Sequence, residues 1–392
     1  MTEYLYDTRP YDREFEAVVL SCEKAVKDGK ECSDTVLDKT LFFPEQGGQT
    51  PDVGFINGIR VFDVQMVEGV VHHYLEAPVE IGIFVKGTID WERRYDTMQH
   101  HTGEHIFTGL AHNLYGAENV GFHLSDNVVT LDLDIELSQA QVTEIETKAN
   151  EVIYSGALIK CYYPEASKLK EIPYRCKKEI EGDIRIVEIV GVDFCACCAP
   201  HVASTAEVGV LKVQSFMKYK GGTRVSILCG RRALLDYRQR ISVIENCYQL
   251  LNCRQDELAE KIDTLLTANK QLKYDMGQLN CKLLSKEIES VDEALEDVII
   301  FTEGVDAKAM REAVNSLVEK HPGICGVFSE NEEGSFNYIA GSANTDCKKL
   351  AEALKDACGA KGGGSPAMIQ GTVPSGVAKD TLRGVLKSSN YV

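Results

Sequence analysis

Two short motifs hold the residues of this sequence best suited to bind a metal ion. His101 and His105 are four residues apart, and so are Cys197 and His201. On a helix, side chains four residues apart lie on one face, so both imidazoles of the first motif can reach one ion. Thiolate and imidazole are zinc ligands, and four such ligands favour a tetrahedral site. The two motifs together predict one Zn²⁺ per chain, with these four residues as its candidate ligands.

Two alternatives stay open at this site. Cys195 or Cys198 could replace Cys197, which we prefer because its spacing to His201 mirrors that of the histidine pair. A closed zinc would only stabilise the domain, whereas an open coordination position would activate water or polarise a substrate. Thr102, not glutamate, follows His101, so the general base of the zinc peptidases is missing from its usual place.

The segments around these motifs predict an α+β multidomain protein. We expect a small N-terminal β-barrel over residues 1–90, an α+β sandwich that carries the zinc over 91–230, a long coiled-coil-like helix over 231–292 and a C-terminal α/β domain over 293–392. Asn57-Gly58 between two apolar residues predicts a hairpin. Apolar periodicity predicts helices over 94–114, 138–154, 307–319 and 346–358, and strands over 128–133, 157–163, 184–190, 207–213, 224–229, 298–301 and 324–328.

The predicted long helix contains one glycine and no proline. Five leucines recur every seven residues, and a second row completes the same seam: Leu251, Leu258, Leu265, Leu272 and Leu279, with Ile262, Asn269, Met276 and Leu283. Such heptads are typical of a coiled coil with one polar residue in its seam. The helix either packs on its own protein, acts as a spacer or joins two copies in a homodimer. The C-terminal domain is the other candidate for a homodimer contact.

Length and composition exclude several classes of protein. The chain has 392 residues, a formal net charge of −18 and 14 cysteines, most of them isolated. The negative charge argues against a general nucleic-acid coat and against adhesion to an anionic membrane. No stretch reaches the roughly 20 apolar residues of a membrane-spanning helix, and the N-terminus does not look like a signal peptide. We therefore expect a cytoplasmic protein with reduced thiols and no membrane partner.

Longer motifs carry a resemblance to a known family. Residues 94–105 and 197–209 resemble the two zinc motifs of the alanyl-tRNA editing domain, and 221–227 resemble the segment that follows them. Residues 42–54 resemble the glycine-rich loop of the preceding β domain. Residues 362–371 resemble the glycine-rich loop of the C-terminal domain that alanyl-tRNA synthetases share with DHH phosphoesterases. Their order along nearly the whole chain is similar to the long form of AlaX.

This resemblance implies a trans-editing hydrolase. Members of the family deacylate tRNA(Ala) mischarged with serine, and in some members with glycine. Aminoacylation is not expected, because no charging domain precedes residue 1. Two departures from the family pattern leave the amino-acid specificity open: Cys198-Ala199-Pro200 replaces Gly-Gly-Thr, and Gln46-Gly47-Gly48 replaces a triple glycine. A non-catalytic zinc-stapled tRNA-binding module is the alternative, and so is a DHH-like phosphoesterase, although the Asp-His-His segment of that class is not found.

Further residues are candidates for substrate contact. A site that hydrogen-bonds the serine hydroxyl rejects alanine, and the candidates for this catalytic pocket are Gln46, Gln49, Thr102 and His123. Within the acidic chain, residues 205–240 carry a net charge of +6 and residues 347–392 one of +4. These clusters predict salt-sensitive tRNA contacts. The candidate tRNA-binding residues are Lys218, Lys220, Arg224, Arg231, Arg232, Gly362, Gly363 and Gly364, the three glycines in a loop that lets backbone N–H groups approach phosphate.

Overall fold

Six strands from the N-terminal part of the chain close into a barrel. The structure is a computed structural model that describes residues 2–176, 183–331 and 333–387. The first elements are β1 (Glu3–Tyr4), α1 (Leu5–Thr8), β2 (Glu14–Lys27), β3 (Lys30–Leu37), β4 (Lys39–Thr40), β5 (Gly54–Ile56), β6 (Ile59–Val67), β7 (Val70–Leu75) and β8 (Phe84–Ile89). The barrel order is β2-β3-β7-β6-β5-β8. The hairpin predicted at Asn57-Gly58 is confirmed: φ is 47° and 78° at these residues, the left-handed backbone that a two-residue turn requires.

A buried helix and two sheets follow the barrel. They comprise α2 (Trp91–Tyr115), β9 (Asn119–Leu124), β10 (Val129–Leu133), α3 (Gln139–Ser155), β11 (Ile159–Tyr162), α4 (Ala166–Leu169), β12 (Ile186–Ile189), β13 (Asp193–Ala196), β14 (Leu211–Tyr219) and β15 (Gly222–Cys229). One sheet has the order β14-β15-β10-β9 and the other β11-β12-β13. The helix α2 contacts strands of both sheets as well as α3, so its side chains form the centre of this core. Its predicted extent and that of α3 are confirmed.

The strand predicted over 207–213 is wrong in its first half. Thr205–Val208 form a 3₁₀ turn, in which Ser204 and Glu207 cap each other's backbone, and Gly209 has a φ of 76°. The two side chains accept hydrogen bonds from backbone amides at the start of the turn and so stabilise it locally. The extended chain therefore begins only at Leu211. The apolar alternation of this segment is the pattern of a strand, but the caps determine where the strand starts.

The long helix predicted over 231–292 is interrupted. The structure has α5 (Gly230–Leu251), a 3₁₀ turn at Gln255–Glu257 and α6 (Leu258–Glu289), so a long helix is confirmed but a continuous one is wrong. Asn252 has a φ of 46°, which ends α5 because asparagine tolerates the left-handed region. Arg254 and Glu257 then cap the turn before α6. The heptad leucines are thereby divided between two helices.

The C-terminal part of the chain forms a five-stranded sheet. The chain divides into two compact units, Met1–Ile244 and Glu245–Val392. The second contains α6, β16 (Val298–Glu303), α7 (Ala307–Val318), β17 (Cys325–Glu330), β18 (Phe336–Gly341), α8 (Cys347–Cys358), β19 (Lys361–Gly364), β20 (Met368–Val373) and α9 (Lys379–Lys387). The strand order is β16-β17-β18-β20-β19. Apolar residues of α8 (Leu350, Leu354) bury against this sheet, as their helical spacing predicts.

Gly362–Gly364 are not a loop, as the sequence predicted, but part of the edge strand β19. A Cβ on Gly362 would lie 2.3 Å from the Gln370 carbonyl oxygen, and one on Gly364 would lie 2.3 Å from that of Met368. The adjacent strand β20 therefore comes too close for any side chain at these two positions. Among the described residues no helix is long and apolar enough to cross a membrane.

Candidate metal centre and substrate pocket

The helix α2 carries the first metal-binding motif inside the core. It begins at Asp90, whose side chain accepts from the Arg93 amide over 3.1 Å, and ends at Gly116 in the left-handed conformation. Between Thr97 and Gly109 every residue is buried, including histidine, threonine and glutamate side chains. A run of buried polar residues is unusual for a structural helix and indicates a functional site.

A buried ion pair joins this helix to the barrel. The Arg94 guanidinium, which is fully buried, is paired with the carboxylate of Asp52 and also donates to the carbonyl oxygens of Pro10 and Leu41. Asp52 in turn accepts from the Phe43 amide over 2.7 Å. Asp52 lies three residues after Gln49 in the glycine-rich loop. The pair therefore holds this barrel loop against the helix seven residues before His101.

Three histidines and one cysteine converge next to this junction. The ligand atoms of His101, His105, Cys197 and His201 all lie within 4.8 Å of one another. The Cys197 Sγ is 3.5 Å from the Nε2 atoms of both His101 and His201. Tetrahedral zinc with ordinary Zn–N and Zn–S bonds places such atoms about 3.6 Å apart. The donor set and the two distances from Cys197 thus fit a zinc ion.

The neighbouring cysteines are placed differently. Cys195 falls into another group with His105 and Asp193, but the Asp193 carboxylate is already ion-paired with Arg175, at 2.6 Å. Cys198 is half-buried, and no metal-binding group of the described residues includes it. The geometry therefore favours Cys197 over both alternatives.

Burial sets the protonation of the ligands. Burial, with the neighbouring Cys198 and Cys195, raises the pKa of the Cys197 thiol well above its usual value. Burial, with His105 and His101, lowers the pKa of His201 well below its usual value. Neutral imidazole is the form that binds a metal, whereas the thiol must release a proton.

Arg185 holds the loop of the second motif, a role that the sequence analysis missed. Its guanidinium donates to the carbonyl oxygens of Cys197 and Ala199 over 3.0 and 2.9 Å. The Cys197 amide donates back to the Arg185 carbonyl over 3.1 Å. The Arg185 side chain is almost fully buried and lies 3.8 Å from Asp7. No spacing or motif singled out this arginine in the sequence, because its partners are backbone carbonyls, whose hydrogen bonds do not depend on the side chains of those residues.

A pocket of about 740 Å³ opens next to the four metal-binding residues. His101, His105 and Cys197 line it on one side, and the barrel loop lines it with Gln46, Gly47 and Gly48. The volume lies in the range of small-molecule sites, and the loop makes the barrel part of the pocket wall. Gly48 has a φ of 86°, and a Cβ there would lie 2.3 Å from the Phe122 carbonyl oxygen. Only glycine permits this close approach of the loop to β9.

The four residues predicted to contact substrate are placed differently. Gln46 lines the pocket. Gln49 is buried, with its Oε1 2.8 Å from His101 Nδ1, and Thr102 is buried, with its Oγ1 3.0 Å from His201 Nδ1. His123 is exposed and is not among the residues that line the pocket, because β9 directs Phe122 towards His101 and the next residue away from it. The structure thus brings together three of the four.

Comparison with known proteins identifies the family. The chain is 30% identical to the alanyl-tRNA editing protein AlaX-L of Pyrococcus horikoshii, over 95% of each chain. The chain belongs to the alanyl-tRNA editing proteins. Three family models match it: tRNA synthetases class II (A) over residues 4–93, the threonyl and alanyl tRNA synthetase second additional domain over 184–226, and the DHHA1 domain over 294–389. The long form of AlaX inferred from the motifs is thereby confirmed.

Other relatives cover different shares of this editing protein. It is 32% identical to the alanyl-tRNA editing protein Aarsd1 of Bos taurus over 67% of this chain and 62% of that one. It is 29% identical to an alanine–tRNA ligase of Pyrococcus abyssi over 98% of this chain. The editing protein spans only 43% of that ligase.

Most basic residues predicted to bind tRNA already have acidic partners in the editing protein. Arg224 makes two hydrogen bonds to Asp132 and stacks on the Tyr219 ring at 3.7 Å. Lys220 lies over the same ring, at the tip of the hairpin between β14 and β15. The remaining pairs are Lys218 with Glu136, Arg231 with Glu92 and Arg232 with Asp96. Lys218 and Arg231 are largely exposed, whereas Arg232 is half-buried and also donates to the Ser125 carbonyl oxygen.

Glu104 is a second residue that the sequence analysis missed. This carboxylate, directly before His105 in α2, is 1% exposed. Its Oε1 accepts from Asn119 and from the Thr108 hydroxyl, and its Oε2 lies 3.7 Å from His105 Nε2. A charged side chain between two metal ligands on one helix is the signal that could have identified it.

Proposed function

We propose that the protein hydrolyses the aminoacyl ester of tRNA(Ala) mischarged with serine, and also that of tRNA(Ala) mischarged with glycine. Membership of the alanyl-tRNA editing proteins supports the reaction class. The observation that carries the proposal is the convergence of His101, His105, Cys197 and His201 beside a pocket that is also lined by the barrel loop.

Zn²⁺ is the metal we propose for this site. When bound, zinc acts as a Lewis acid towards an ester carbonyl or a water molecule, or holds the 3′ end of the tRNA in place. In the hydrolysis, water adds to the ester carbonyl carbon, the bond from that carbon to the ribose oxygen breaks, and the ribose hydroxyl leaves with a proton. Three imidazoles and one thiolate would hold the ion, and Arg185 would keep Cys197 in position through its backbone.

Selection of serine is assigned to the barrel side of the pocket. Gln46 lines the pocket and carries both a hydrogen-bond donor and an acceptor. A side chain of this kind can bind the serine hydroxyl and is left unpaired by alanine, which disfavours the correctly charged tRNA. His123, by contrast, is exposed outside the pocket wall and takes no part in this selection.

We further propose two surfaces outside the pocket. Three elements would contact tRNA. They are the hairpin tip with Lys218, Lys220 and Arg224, the start of α5 with Arg231 and Arg232, and the edge strand with Gly362–Gly364. Phosphate contacts of this type weaken with added salt. The seam of α6 would pair with that of a second copy, since Leu265 and Leu272 are 47% and 67% exposed in the described chain and their repeat is heptad.

A deacylation assay tests the function. The purified, zinc-loaded protein should hydrolyse Ser-tRNA(Ala) and Gly-tRNA(Ala) and spare Ala-tRNA(Ala), and the His101→Ala, His105→Ala double variant should lose both zinc and activity. A zinc-loaded protein that binds tRNA(Ala) but leaves all three esters intact would support the non-catalytic binding module instead. Zinc content of the double variant equal to that of the parent would overturn the ligand assignment.

A further inference from the structure

We propose that Gln49 and Thr102 are positioning residues of the metal centre, and that Gln49 is the barrel's contribution to it. The proposal rests on the metal site proposed above. It gives Gln49 and Thr102, which the sequence suggested as hydrogen-bond partners of the substrate hydroxyl, a role as partners of the metal-binding histidines.

The contacts of Gln49 fix the orientation of His101. The Oε1 of Gln49 lies 2.8 Å from His101 Nδ1, while His101 Nε2 lies 3.5 Å from Cys197 Sγ. An amide oxygen only accepts, so Nδ1 carries the proton and the Nε2 lone pair faces the metal position. The Nε2 of Gln49 is buried and has no hydrogen-bond partner among the described residues. The amide therefore accepts from the imidazole at the cost of an unsatisfied buried donor.

Thr102 makes the equivalent contact with His201. Its Oγ1 lies 3.0 Å from His201 Nδ1 and 3.4 Å from the Val202 amide nitrogen, which donates to it. His201 Nε2 faces Cys197 Sγ at 3.5 Å. His101 and His201 thus each have an oxygen partner on the nitrogen remote from Cys197, and the Thr102 hydroxyl accepts from His201 when His201 Nε2 faces the metal position. Partners of this kind set the tautomer and the ring orientation of metal-binding histidines.

Gln49 is also tied to the wall of the pocket. The Thr50 amide donates to the Leu124 carbonyl oxygen over 3.1 Å, and the Leu124 amide donates to that of Gly48 over 2.7 Å. The same loop is held on α2 by the Asp52–Arg94 pair. Because the loop supplies both the partner of His101 and part of the pocket wall, a metal bound at His101 should also stabilise this wall.

Zinc affinity measured by competition with a chromophoric chelator tests the proposal. Gln49→Leu and Thr102→Val should each weaken zinc binding about ten- to hundredfold. The conservative variants Gln49→Glu and Thr102→Ser, which keep an oxygen acceptor, should bind zinc within a few-fold of the parent. Two matched controls should leave the affinity unchanged: Gln46→Leu on the same loop, and Thr97→Val on the same helix, whose hydroxyl donates to the Arg94 carbonyl oxygen.

Two further readouts separate positioning from general damage to the fold. The visible spectrum of the Co²⁺-loaded protein should shift in Gln49→Leu and Thr102→Val but not in the controls. Hydrogen exchange of the segment around Thr50 and Leu124 should be slower with zinc than with chelator in the parent, and equal under both conditions in Gln49→Leu.

The outcomes distinguish a failure of the positioning role from a failure of the metal site. Suppose that the parent binds zinc tightly, and that Gln49→Leu and Thr102→Val bind it within twofold of the parent and show the same Co²⁺ spectrum. The positioning role is then refuted while the metal site stands. Loss of zinc in Gln49→Glu and Thr102→Ser as well would also refute it, since packing and not the acceptor would then matter. A parent that binds no zinc refutes the proposed metal site itself.

Discussion

The ion pair between Arg94 and Asp52 is the interaction whose loss should destabilise the protein most clearly. The change is Asp52→Asn, which keeps the shape of the side chain and the acceptor for the Phe43 amide but removes the charge. The Arg94 side chain is fully buried and that of Asp52 is 4% exposed, so water cannot replace the lost partner. Removing one member of a buried pair costs about 3–5 kcal/mol.

The remaining contacts of Arg94 place the expected loss at the lower end. The guanidinium still donates to the carbonyl oxygens of Pro10 and Leu41, which partly satisfy it. We therefore expect the free energy of unfolding to fall by about 3 kcal/mol, a large part of the ~5–15 kcal/mol that stabilises a typical domain.

Trp91 makes the measurement specific to the N-terminal unit. It is the one tryptophan of the chain, stands at the start of α2 and lies near the rings of Tyr11 and Tyr95. Its fluorescence during urea unfolding reports on the junction that the pair holds. The matched control is Glu92→Gln, which breaks the exposed pair with Arg231 and should cost less than about 1 kcal/mol. A loss below about 1 kcal/mol in Asp52→Asn as well would refute the reasoning.

Three further predictions concern the pocket, the barrel and α6. Gly48→Ala should lower kcat/KM for Ser-tRNA(Ala) about a hundredfold by displacing the loop from Phe122. The control is Gly58→Ala, which should retain activity because Gly58 also has a positive φ but no atom lies within 4 Å of the added Cβ. Equal rates in the two variants would contradict this role of Gly48. Burial lowers the pKa of His73 from 6.5 to about 4, so the unfolded chain binds a proton that the folded chain does not as the pH falls through this window. The free energy of unfolding should therefore drop by about 3 kcal/mol between pH 7 and pH 4 because of His73. In His73→Gln the free energy of unfolding, measured by urea titrations followed by Trp91 fluorescence, should depend less steeply on pH. An unchanged pH dependence in this variant would contradict the prediction. A homodimer through α6 should dissociate in Leu265→Ser, Leu272→Ser as measured by sedimentation equilibrium, and a monomeric parent would exclude it.

The sequence predicts the elements that depend on local signals. Asn57-Gly58 and the apolar periods place the barrel hairpin, α2 and α3 within a few residues. The interruption at Asn252 was not predicted, because nothing in the heptad pattern distinguishes an asparagine that takes a positive φ from one that stays helical. Likewise, Gly362–Gly364 suit a loop and a closely packed edge strand equally, and only the neighbouring strand decides between them.

The same distinction applies to the site. Spacing within α2 and within the second motif predicts the four ligands, since each pair belongs to one short segment. The partners of those ligands come from outside the two motifs: Gln49 from the barrel loop, and Arg185 through two backbone carbonyls. Such contacts leave no periodic trace in a single sequence. Gln49 and Thr102 were therefore found as polar candidates for a substrate hydroxyl, and the structure places each of them against an imidazole.

The coordination of the metal is the central claim of this account, and X-ray absorption of the zinc-loaded protein measures it directly. Coordination by His101, His105, Cys197 and His201 should give one sulfur at about 2.3 Å and three imidazole nitrogens at about 2.0–2.1 Å, with the sulfur lost in Cys197→Ser and kept in Cys195→Ser and Cys198→Ser. A first shell without sulfur, or one with two sulfur atoms, would contradict it.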